Sequence, residues 1–164
     1  MQAIGRSRGG QTTKIPALTD VLGRLVALEL SPGNVADIHM ADTLFARCGP
    51  VKRLIADRGY DANALRRKLP QAGTIPIIPG RKNRKTPIRH DRRGYRDRWR
   101  VEAAFCRLKD FPRIATRYDK LAPNFLSATY LAAVIAFWAR LSPDPRSSRL
   151  PSGTYAARRS NERT

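Results

Sequence analysis

The stretch Tyr95–Lys109, YRDRWRVEAAFCRLK, limits most strongly what this chain can fold into. Wound at about 100° per residue, Val101, Ala104 and Leu108 fall within a sector of roughly 60°, with Phe105 at its border. That sector anchors one side of a helix on an apolar partner. Tyr95, Arg98, Glu102 and Lys109 line a narrow stripe beside it, and Arg96, Arg100 and Arg107 gather on another side. Glu102 thus stands at the margin of an apolar face, among cations. Two readings of it are open. It is a solvated acid paired with Arg98 one turn back, worth about 0.2–0.5 kcal/mol, or a carboxylate held for chemistry.

Charge narrows the partners. The 164 residues carry 32 Lys+Arg against 13 Asp+Glu, a formal charge of +19. Such a surplus self-repels unless a polyanion neutralises it, so nucleic acid is the expected partner. Ribosomal and membrane-surface proteins share this composition, so charge alone does not choose. Cys48 and Cys106 form no CxxC pair, and His39 and His90 are the only histidines, which argues against zinc and for reduced thiols in a cytosolic protein. No apolar run follows Met1 as a secretory signal would require. The 16 uncharged positions Asn124–Ala139 fall short of the roughly 20 needed to cross a bilayer.

The rest of the chain reads as an α/β domain. Gly5–Gly10, GRSRGG, is a phosphate-attracting arm or a plain loop, and lacks the Gly-Lys-Ser/Thr of a P-loop. Thr12–Leu30 predicts a hairpin turning near Gly23, with Asp20 capping its own turn rather than acting in catalysis. A helix follows from Ser31 or Asn34 to about Arg47, stopped by Gly49-Pro50. Leu54-Ile55-Ala56 suits a buried strand, and places Asp57 at its carboxyl end, where α/β folds hold ligands. Gly59 permits a sharp turn there. Asp61 is expected to cap the helix Ala62–Leu69. Thr74–Ile78 predicts an edge strand, since Pro76 lacks a donor. Arg81, Lys82, Arg84 and Lys85 then form a charged loop, suited equally to DNA contact or to solvent. Asn124–Ala139 predicts a helix packed on the core.

Two motifs give this outline a family. Tyr95, Arg98, Glu102 and Lys109 reproduce Y-(2)-R-(3)-E-(6)-K. That spacing resembles the signature of DDE transposases of bacterial insertion sequences, in particular the related families four and five. Asp57-Arg58-Gly59-Tyr60-Asp61 resembles the family's D-x-G-Y-D/S segment around its second acid. The stretches after Ile77 and after Lys109 (FPRIATRYDKLAPNF) are also similar to the family's, so the likeness runs from about Ile4 to Leu141.

The resemblance implies a ribonuclease-H-like fold, a mixed sheet flanked by helices, whose three carboxylates hold two Mg2+ (or Mn2+) ions. Asp57 and Glu102 match the second and third acids and would be both catalytic and metal-binding. Tyr95, Arg98 and Lys109 would contact DNA at the break, and Arg81, Lys82, Arg84 and Lys85 the phosphates nearby. Hard oxygen donors suit Mg2+, which takes a few carboxylates together with phosphate and water. The implied function is transposition, by strand cleavage and strand transfer at insertion-sequence ends. The family's first acid lies on a central strand upstream of the glycine-rich stretch, and no Asp precedes Asp20. Residues 1–141 are therefore expected to be the C-terminal part of a catalytic domain that lacks its first, central strand, with bare edges on both sides of the gap. Residues 142–164 are expected to be a disordered basic tail.

Alone, such a chain is expected to be marginally folded and inactive. It would work with an upstream transposase half or a fused N-terminal segment. Its other expected partners are DNA (element ends and target) and further copies of itself in a synaptic complex, in the bacterial cytoplasm at the nucleoid. The alternatives are a truncated remnant, or a basic nucleic-acid-binding protein without catalysis.

Overall fold

The computed structural model describes residues 2–7, 10–139 and 154–163. They form a mixed sheet with helices on both faces. Seven strands take part: β1 (Gly5–Ser7), β2 (Gly10–Thr19), β3 (Leu25–Leu28), β4 (Ser31–Pro32), β5 (Arg53–Ala56), β6 (Ile75–Ile77) and β7 (Thr154–Arg163). The order across the sheet is β1-β2-β7-β5-β6, and β3 and β4 also pair with β2. The predicted hairpin is β2–β3. Asp20 Oδ1 accepts from the N–H groups of Leu22 and Arg24 at 2.9 Å each, and Gly23 turns at a φ of +77°. Asp20 is thus bound to its own turn, as its position suggested.

β7 covers both edges of the expected gap: Thr154–Arg163 lies between β2 and β5, antiparallel to β2 and parallel to β5. It falls within the stretch expected to be a basic tail, of which residues 142–153 lie outside the described residues. The physical reason is the backbone. Two open edges facing a gap leave rows of N–H and C=O groups without partners, and any extended segment can satisfy them.

The sheet divides two cores. Along β2, Ile15 and Ala17 join one cluster and Leu18 the other; along β5, Ile55 joins the first, and Leu54 and Ala56 the second. β2 is therefore buried at successive positions, as strands covered on both faces are. The helices are α1 (Ala41–Ala46), α2 (Asn63–Gln71), α3 (Arg92–Tyr95), α4 (Trp99–Lys109), α5 (Pro112–Ala115) and α6 (Ala122–Ala133). Leu44, Leu65 and Leu69 place α1 and α2 on the second core. Val101, Ala104, Phe105 and Leu108 of α4, Ile114 of α5 and Phe125 of α6 fill the first. The apolar sector read from the sequence is thus the buried face of α4, with Phe105 inside it. Arg117, itself buried, donates to Gln2 O at 2.7 Å, Asp119 O at 3.0 Å and Thr13 Oγ1, tying the chain before α6 to β2.

Helix bounds differ from expectation in two places. Ser31–Pro32 pairs with β2, so the helix expected from there starts later, as a 3-10 turn at Asp37–Met40 leading into α1. The helix expected over Tyr95–Lys109 begins earlier and changes pitch: α3 leads through a 3-10 turn, Arg96–Arg98, into α4. Asp91 starts it, accepting from the N–H groups of Arg93 and Gly94 at 2.9 and 3.0 Å. No helix among the described residues is long and apolar enough to cross a membrane.

Candidate functional site

Asp57 follows the last residue of β5 and caps the 3-10 turn Arg58–Tyr60, its Oδ1 accepting from Gly59 N–H at 2.7 Å. The turn is tight because Gly59 has no side chain. A Cβ there would lie 2.8 Å from Asp37 Oδ2 and 2.9 Å from Asp57 Oδ1. Asp37 is buried and pairs with buried Lys14 at 3.4 Å. The turn carrying Asp57 is therefore backed by a second carboxylate that the sequence reading left inside a plain helix.

Across from this turn stand Tyr95 and Arg98. Together with Asp57, Arg58, Gly59, Pro79 and His90 they line a cleft of about 430 Å³. Tyr95 is held edge-on to His90, with ring centroids 5.3 Å apart, and the Arg98 guanidinium lies 5.7 Å from the Tyr95 ring centre. Arg98 Nη2 donates to Glu102 Oε1 at 2.7 Å. Glu102 is thus one ion pair removed from the cleft that Asp57 lines, with its side chain 41% exposed. The pairing offered by the bland reading of Glu102 is present, and it is the link that joins Glu102 to the Asp57 side. His90 was not anticipated; neither its spacing nor its neighbours marked it.

Lys109 ends α4, seven residues beyond Glu102, which is about 10 Å along a helix axis. It is exposed and outside the cleft. The charged loop divides. Lys82 and Lys85 are exposed, whereas Arg84 donates to Asp61 Oδ2 at 2.7 Å and to Asn63 Oδ1 at 2.6 Å. Arg81 gives its backbone N–H to Asp61 Oδ2 at 2.7 Å, and its guanidinium reaches Gly59 O at 3.2 Å.

Asp61 explains this division and corrects another expectation. It does not cap α2, whose N-cap is Ala62 without a side-chain bond. It is a buried anchor bound to Arg66 at 2.7 Å as well as to Arg81 and Arg84. Burial alone would raise its pKa, but hydrogen bonds from Arg84, Arg66 and Arg81 N–H outweigh burial and hold the carboxyl well below the usual range. Through Arg81, this anchor ties the basic loop to the turn that carries Asp57.

Among the described residues, no three His, Cys, Asp or Glu side chains gather closely enough to hold a metal ion. The acids named by the motifs fall short of a complete donor set.

The sequence now has a family. The model of the transposase DDE domain matches residues 3–137. The chain is also 32% identical over 133 residues to a putative transposase for insertion sequence element IS6501 from Brucella ovis, covering 79% of this chain and 99% of that relative. No solved structure matches it. The chain belongs to the DDE transposase family, whose members act in transposition, bind DNA and use divalent metal ions. β7 lies outside the matched residues.

Proposed function

We propose that this chain supplies two acids, Asp57 and Glu102, of a metal-dependent site that cleaves and transfers DNA strands at insertion-sequence ends, on a ribonuclease-H-like core. The observation that carries this reading is the cleft in which Asp57 meets Tyr95 and Arg98, with Arg98 in turn gripping Glu102. An isolated surface ion pair needs no such cleft, and a plain nucleic-acid binder needs no carboxylate facing its cations.

The cations divide the work. Arg98, paired with Glu102 and lining the same cleft as Asp57, keeps a cation where a scissile phosphate would lie. Tyr95, edge-on to His90, shapes the wall that would receive the terminal nucleotide. Lys82 and Lys85, and Lys109 at the far end of α4, would hold the phosphates to either side. Arg81 and Arg84 act through Asp61, fixing the loop from which Lys82 and Lys85 project. Mg2+ or Mn2+ is the ion that such oxygen donors suit. With two acids the donor set is incomplete, so the chain cuts DNA only when a third carboxylate joins it, from an upstream segment fused to it or supplied beside it. Synapsis of two ends would bring further copies together at the nucleoid.

The test joins this chain to such a segment and follows Mg2+-dependent cutting of labelled element ends. Loss of an outer-sphere partner alone typically costs 10–100-fold, so Glu102→Gln is expected to reduce cleavage by about 100-fold or more. Equal cleavage by both forms would remove Glu102 from the mechanism.

A further inference from the structure

β2 is buried at successive positions, yet it carries one charged residue, Lys14, which is 6% exposed. A lysine is almost never buried so far unless it is paired. Lys14 Nζ donates to Val35 O at 2.6 Å and stands 3.4 Å from Asp37 Oδ1. Asp37, also buried, opens the 3-10 turn that leads into α1. Lys14 and Leu18, an even number of residues apart, share a face of β2, and Leu18 belongs to the second core, with α1 and α2. The pair therefore lies on the α1 side of the sheet.

Stability is a poor account of such a pair. Two charges taken out of water recover from each other only part of their hydration, so packed apolar residues of similar size serve a core as well or better. What Asp37 touches gives a better account. A Cβ on Gly59 would lie 2.8 Å from Asp37 Oδ2 and 2.9 Å from Asp57 Oδ1, so the two carboxylates bracket the space that this glycine leaves. One contact runs into the next: Lys14 to Asp37, Asp37 to Gly59, and Gly59 N–H to Asp57 Oδ1 at 2.7 Å. Asp57 lines the cleft with Tyr95 and Arg98, and Asp37 is not among the residues of its wall. Asp37 thus stands behind the turn. A bare negative charge there would repel the Asp57 carboxylate, and Lys14 cancels it.

We propose that Asp37 is a positioning residue for Asp57, held in place and neutralised by Lys14. Filling the space beside Gly59, it keeps the turn from relaxing away from the cleft. One Asp57 oxygen then stays bonded to Gly59 N–H and the other is left for the cleft. The pair itself meets neither ion nor DNA. That Asp57 is positioned for a metal rests on the reading of Asp57 as a metal ligand, whereas the positioning itself needs only the contacts behind the turn.

The test uses the full chain, isotopically labelled for NMR, and follows hydrogen exchange of the Gly59 amide that bonds to Asp57. Lys14→Met leaves the Asp37 charge facing Asp57, and should lower Gly59 protection about tenfold or more while the amides of the β2–β3 hairpin keep theirs. Adding Asp37→Asn, which keeps the volume and removes the charge, should restore Gly59 to within about threefold of wild type. Adding Asp37→Ala instead, which opens a space behind the glycine, should leave its protection low. An unprotected Gly59 amide in wild type, no rescue by Asn, or equal protection in the Asn and Ala variants would each overturn the positioning. A fall shared by the hairpin amides, or an Asn variant that does not fold, would make the pair a stability element and overturn it too. Mn2+ broadening of the Gly59 resonance then separates the two readings. The Ala variant should need about tenfold more Mn2+ than wild type for equal broadening. If exchange behaves as stated but Mn2+ leaves Gly59 sharp in wild type, the positioning stands and the assignment of Asp57 as a ligand falls.

Discussion

Asp61→Asn probes the anchor on which the candidate site rests. The Asp61 side chain is fully buried, while those of Arg66 and Arg84 are 14% and 22% exposed. Neutralising one partner of a buried pair costs about 3–5 kcal/mol, because the remaining charge stays desolvated. Both arginines keep some water, which places the cost near the lower end, at about 3 kcal/mol. A small domain has only about 5–15 kcal/mol in total. With a urea dependence of about 1.5 kcal/mol per molar, the unfolding midpoint should fall by about 2 M at unchanged slope. A double-mutant cycle with Arg84→Gln should return a coupling of about 1 kcal/mol or more. Acid unfolding gives an independent check. The folded carboxyl titrates below its unfolded value of about 3.9. Its contribution is complete above that pH and is lost as pH falls through the folded value. Wild type should therefore lose stability below about pH 4, along a limb that Asp61→Asn flattens. A loss under about 0.5 kcal/mol, the range of ordinary surface changes, or coincident acid limbs, would refute the anchor.

Gly59→Ala should cost about 1–3 kcal/mol, the usual range for overpacking, since its Cβ would press on Asp37 and Asp57 at 2.8 and 2.9 Å; thermal unfolding measures it. Glu102→Gln should change stability by less than about 0.5 kcal/mol, because exposed i,i+4 pairs contribute little, and urea unfolding would expose a larger structural role. DNA affinity should fall steeply with salt, and Lys82→Ala and Lys85→Ala should each reduce the log–log slope by about 1 if each meets a phosphate. Unchanged slopes would leave those lysines in solvent.

Local patterns made much of this fold legible. The buried face of α4, the hairpin around Gly23, β5 ending at Asp57 and β6 on an edge with Pro76 all follow from periodicity and turn chemistry. What escaped was non-local. Nothing near Asp61 marks it as a buried partner of Arg66, Arg81 and Arg84, because that role depends on a loop 20 residues further on. Asp37 and His90 likewise gain meaning only once the turn after β5 is in place, with Asp37 against Gly59 and His90 lining the cleft with Asp57. The pairing of β7 was not legible either, since TYAARRSNER has neither the alternation nor the apolar run of a strand, and its place is set by the edges of β2 and β5. The family spacing singled out Asp57 and Glu102 as candidates but could not show that Arg98 bridges from the cleft to Glu102.

The most direct test of the central claim replaces Mg2+ with Fe2+ and ascorbate, in the chain joined to a segment bearing the third carboxylate. Hydroxyl radicals formed at the bound ion cut the nearest backbone. Cuts beside Asp57 and Glu102, abolished by Asp57→Asn and by Glu102→Gln, are the predicted result; cuts elsewhere, or cuts that both substitutions leave intact, would contradict it.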